Sequence, residues 1–70
     1  MYMIRVNELK GIIVMRGMTQ IQVAKMIGMS ARTFRYKLKK GVFNNTEIQK
    51  LIKVLDIKDP MRIFFADDVA

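Results

Sequence analysis

The sequence predicts a single all-α domain of five short helices, and three observations lead there. A chain of 70 residues has room for one hydrophobic core and no more. Short polar residues stand in front of segments whose apolar positions recur every three or four residues, the pattern of capped amphipathic helices. Glycines at 17, 28 and 41 follow those segments and supply the left-handed residue that closes a helix.

The first six residues alternate, with Tyr2, Ile4 and Val6 on one side, so they form a short N-terminal strand or an arm lying on the body. Asn7 is the expected N-cap of a first helix over Glu8–Arg16, in which Leu9, Ile12, Ile13 and Arg16 fall on adjacent turns. Gly11 weakens that helix by ~1 kcal/mol relative to alanine. The next three helix starts share one device, a large apolar residue just before the cap that packs on another inside the first turns. The pairs are Met18 with Val23 around Thr19, Met29 with Phe34 around Ser30, and Phe43 with Ile48 around Asn44. Gln22 and Glu47 add the reciprocal half of a capping box to Thr19 and Asn44.

These signals set a second helix at Gln20–Ile27, a third at Ala31–Lys40 and a fourth at Asn45–Leu55, the last with Ile48, Leu51, Ile52 and Leu55 along one face. Asp59 and Pro60 read as cap and first residue of a short fifth helix through about Phe65, because proline lacks only an N–H that would be unbonded there. Asp67 to Ala70 are expected to fray.

Composition narrows the chemistry. With neither cysteine nor histidine there is no disulfide, no zinc site and no usual general base, so an enzyme, a metal site, a cofactor and a small-molecule ligand are not expected. No uncharged apolar stretch approaches the ~18 residues of a membrane helix, and the N-terminus lacks a secretory pattern, which makes a cytoplasmic protein the expectation. Thirteen Lys and Arg against six Asp and Glu give a formal charge of +7, a field that favours a polyanion. That charge is local: Arg32, Arg35, Lys37, Lys39 and Lys40 crowd the third helix, while Asp56, Asp59, Asp67 and Asp68 lie towards the C-terminus.

Residues 19–40 therefore read as a helix, a tight turn at Gly28 and Met29, and a second helix with a narrow core-facing edge. Phe34 and Leu38 form that edge, leaving Arg32, Arg35, Tyr36 and Lys39 on the opposite arc. Guanidinium groups pair with guanine O6 and N7, and a tyrosine meets a thymine methyl or a phosphate, so this arc suits base reading in a major groove. Gln20 at the start of the second helix, with Lys37, Lys39, Lys40, Asn44 and Asn45 around the third, are expected on phosphates.

The run from Met18 through Phe34, with Thr19, Gln20, Ala24, Gly28 and Ser30 in place, resembles the helix-turn-helix of phage Cro and lambda-repressor-like proteins. The likeness extends over roughly residues 7–65. It implies a small prophage regulator that binds double-stranded DNA at an inverted-repeat operator as a homodimer. By position it adds Ala31 to the base readers Arg32, Arg35 and Tyr36, and Ser30 to the backbone contacts. Ala31 departs from the family pattern, since a methyl group touches thymine but forms no hydrogen bond.

Two further expectations concern apolar surface. Ile21 and Met26 point outward by periodicity, and Ile63, Phe64 and Phe65 cannot all be buried in so short a helix, which makes them the expected dimer interface. The alternative function is a protein-interaction module, antitoxin-like or a phage accessory domain, that uses this same end. A membrane-surface peptide is disfavoured, because the most basic helix also contributes Phe34 to the core.

Overall fold

The computed structural model describes residues 2–64 and 66–67. Helices α1 (Val6–Met15), α2 (Gln20–Met26), α3 (Ala31–Lys40), α4 (Asn45–Leu55) and α5 (Pro60–Phe64) follow one another, flanked by two-residue strands β1 (Tyr2–Met3) and β2 (Ala66–Asp67). The five-helix expectation holds, and α3 and α4 have the bounds read from the sequence.

The three stapled starts explain why the bounds agree. Thr19 Oγ1 accepts from the Gln22 N–H at 3.1 Å while Gln22 Oε1 accepts from the Thr19 N–H at 2.8 Å. Asn44 and Glu47 repeat the exchange at 2.8 and 3.0 Å. Ser30 caps α3 with one bond, from the Thr33 N–H. Gly28 at φ 79° and Gly41 at φ 71° turn the chain out of α2 and α3, a conformation that a side chain would strain.

The sequence misplaced the first helix. It starts at Val6, so Asn7 lies inside it and caps nothing; Arg5 stands at the cap without a side-chain bond. What holds this start is tertiary: the Arg5 N–H donates to the Ile63 carbonyl of α5 at 2.8 Å. Beside it, Glu8 in the first turn accepts from Arg62 Nε at 3.0 Å and lies 3.5 Å from Arg5 Nη1. The N-terminal arm is a strand, antiparallel to β2 with Tyr2 opposite Asp67 and Met3 opposite Ala66. Residues 66 and 67, expected near or within a frayed end, are its partner.

The core joins all five helices through Leu9 and Ile13, Val23, Ala24 and Ile27, Phe34 and Leu38, Ile48, Leu51 and Leu55, and Ile63 and Phe64. The Phe34 ring meets that of Phe43 at 5.8 Å with a 54° tilt, an edge-to-face type of contact that ties α3 to the start of α4.

Burial of α5 corrects the expected dimer interface. Ile63 and Phe64 are only 5% and 1% exposed, because α5 folds back onto α1 with both side chains inward. Phe65 lies outside the described residues. The exposed large apolar residue of α5 is instead Met61, and Ile21 and Met26 on α2 are exposed as their periodicity indicated.

Candidate nucleic-acid interface

Burial of Phe34 and Leu38 fixes the rotation of α3 and therefore what its other side presents. Arg32, Arg35, Tyr36, Lys39 and Lys40 are exposed. Among the described residues none of the four cations in that set has an ion-pair partner, so their charge is free for an external anion. Lys40 Nζ sits 5.8 Å from the centre of the Tyr36 ring, a cation–π contact that leans the phenol and the ammonium together.

Ala31, at the first position of α3, is half-buried, so its methyl group is only partly available to a base. Gln20 is likewise half-buried at the first position of α2. Ser30 is exposed, but its hydroxyl donates to Thr33 Oγ1 at 2.9 Å while accepting from the Thr33 N–H. A phosphate, which only accepts, meets this hydroxyl after it rotates away from Thr33. Asn44 spends its side-chain oxygen on the Glu47 N–H, leaving its amide N–H groups as donors, and Asn45 beside it is exposed.

Lys37 is not the free cation that was expected. Its Nζ contacts Glu47 Oε2 at 2.5 Å, and its side chain is 29% exposed. The pair ties the last turn of α3 to the first turn of α4, where Glu47 also closes the capping box. Burial alone would raise the Glu47 pKa. Hydrogen bonds from Lys37 and the Asn44 N–H, with the charges of Lys37 and Lys50, outweigh it and hold the carboxyl below its ordinary value.

On the far side of the fold, Arg16 reaches from the end of α1 to the end of α4. Its Nε donates to the Leu55 carbonyl at 2.8 Å and its Nη2 to the Asp56 carbonyl at 3.0 Å, so a cation sits on the negative end of α4. Asp56 itself takes the left-handed conformation, φ 50°, that glycine takes after α2 and α3. A hydrogen bond from Lys58, that residue's charge and, more weakly, Arg16 keep its carboxyl below the usual range. Periodicity had placed Arg16 beside the core, and nothing local in the sequence marks carbonyls some forty residues away as its partners. Among the described residues no group of acids could hold a metal ion, and no helix is long and apolar enough to cross a membrane.

Residues 18–41, from the residue before the Thr19 cap to the glycine that closes α3, match the family model of bacterial regulatory protein, Fis family. The match covers the two helices and the turn just described. These residues form the helix-turn-helix of a DNA-binding regulator. The description names a different group from the phage Cro and lambda-repressor proteins that the motif resembles; the helix-turn-helix is what the two have in common. Comparison with curated proteins and with solved structures gave no match.

Proposed function

We propose that this chain is a sequence-specific transcriptional regulator of phage or prophage type. It places α3 in the major groove of an inverted-repeat operator as a two-fold dimer in the cytoplasm, and represses by occluding polymerase. The observation that carries the reading is the exposed arc of Arg32, Arg35, Tyr36 and Lys39 on a helix whose rotation is fixed by Phe34 and Leu38, its cations without ion-pair partners among the described residues. The family match over the same residues supports it.

In this reading Arg32 and Arg35 take guanine edges, Tyr36 and the Ala31 methyl meet thymine, and Lys39, Lys40, Gln20, Asn44 and Asn45 hold phosphates. Lys37 leaves the phosphate set because Glu47 neutralises it. Half-sites lie about 34 Å apart, one turn of the duplex.

Selection of bound sequences from a random duplex pool tests DNA binding and reports site and symmetry together. The expected result is an inverted repeat whose affinity falls ~10³–10⁵-fold between ~50 and ~200 mM salt if ~6–10 phosphates are contacted. Recovery of no preferred duplex, or binding indifferent to salt, overturns the reading.

A further inference from the structure

The exposed face of α3 continues past the end of the helix. Tyr36, Lys37, Lys40, Val42, Phe43 and Asn44 line an open groove of about 440 Å³. Its floor is apolar, with Phe43 buried against Phe34. Its walls are apolar too: Val42 is 64% exposed and Tyr36 61% exposed. Val42 lies outside the buried cluster, and its place is set by the backbone. Gly41 turns left-handed, and the Val42 N–H donates to the Lys37 carbonyl at 3.2 Å. A stiff aliphatic side chain is thus held beside an exposed phenol, with Lys40 above the ring and the Asn44 amide nearby.

An apolar wall beside the free cation of Lys40 matches a partner that shows an apolar group next to an anion. In the major groove of a duplex that group is the C5 methyl of thymine, which is flanked by phosphates. We propose that Val42, together with the Tyr36 ring, reads the methyl group of a thymine at the outer edge of each half-site, with Lys40 on the neighbouring phosphate. The inference rests on the DNA reading above and adds a base-specific contact from the turn after α3. A sugar contact would also be apolar, but deoxyribose recurs at every nucleotide and carries no dependence on the methyl group.

Uracil interference on the selected duplex separates these. Uracil differs from thymine only by that methyl group, so partial replacement followed by separation of bound from free DNA maps each methyl contact. For the native chain, uracil at one outer thymine of each half-site lowers binding about fourfold, the worth of one buried methyl-sized group. Val42→Ala removes this dependence while interference at other thymines stays, and its melting curve matches that of the native chain because Val42 is exposed. An unchanged interference map for Val42→Ala overturns the proposal. So does a uniform loss of affinity on all duplexes, which is the sugar contact. A sharp selected site whose outer thymines tolerate uracil rejects the methyl contact alone; recovery of no site rejects the DNA reading with it.

Discussion

The two lysines that flank Leu38 in α3 differ more than their sequence suggests. Lys39 is exposed and, among the described residues, unpaired, whereas Lys37 is held by Glu47. Lys37→Met is therefore expected to weaken the fold by ~1 kcal/mol, between an exposed and a buried pair, and to lower Tm by ~4–8 °C. The salt slope of DNA binding stays unchanged, whereas Lys39→Met reduces it by ~1. The Glu47 carboxyl has a folded pKa below its ordinary 4.5, so its stabilisation is full above that value and is lost as pH falls through the lowered one. Melting curves should show native protein more stable than Glu47→Gln at neutral pH, with the gap closing below 4.5. On DNA, Arg32→Ala should cost ~1–3 kcal/mol on the selected site and relax choice at one base pair, while Lys40→Ala weakens all duplexes alike. Equal loss on every sequence would remove Arg32 from the reading set. The exposure of Arg32, Arg35 and Tyr36 was legible because helical period and one apolar edge suffice to place them. The pairing of Lys37 was not, because its partner belongs to another helix and depends on the angle between them.

Helix starts in this chain are set by neighbours in sequence, and helix positions by contacts that are not. Thr19, Ser30 and Asn44 each bond an N–H three residues on, so replacing any one with alanine is expected to cost ~1 kcal/mol, with glycine costing only a few tenths. Thermal melts of the three alanine variants check this. A loss at Ser30 within the ~0.5 kcal/mol of an ordinary surface substitution would mean that its bond to Thr33 does not hold α3. Because such bonds span three residues, these starts could be read directly from the chain. The start of α1 could not: Arg5 has no side-chain cap, and its N–H answers to Ile63. The end of α4 is similar, since Arg16 supplies the cation. Arg16→Ala leaves the Leu55 and Asp56 carbonyls without that partner and should destabilise by ~1–2 kcal/mol. Amide exchange should then rise in the last turn of α4 and leave the first turn, closed by its capping box, protected.

At the scale of the molecule, the radius of gyration of 11.2 Å is that of a fully compacted chain of this length, about 11 Å. Such compaction is achieved by turning α5 inward, and it removes the apolar surface that Ile63 and Phe64 were expected to offer. The sequence showed too many large apolar residues for a helix so short; only the fold shows which of them α1 covers. The proposed two-fold dimer therefore needs another contact, and charge restricts where it lies. Two bodies of +7 repel, most strongly where α3 concentrates the cations. Around the groove between the end of α1 and the α4–α5 turn the charges balance, Arg16 and Lys58 against Asp56 and Asp59, over an apolar lining of Ile12, Met15 and Ile57 with the small exposed edge of Ile63. Met15 is 68% exposed there and is not needed by the core. A second copy meeting this face buries apolar surface with less repulsion than one meeting α3. Sedimentation at tens of micromolar is accordingly expected to give a dimer for the native chain and a monomer for Met15→Lys, with matching melting curves when both are dilute. On DNA, the variant should keep its affinity for one half-site and lose the ~10²–10⁴-fold gain that linkage of two reading helices brings to the full operator. A Met15→Lys chain that still sediments as a dimer would place the interface elsewhere; a native chain that binds the full operator no better than a half-site would reject the two-fold reading.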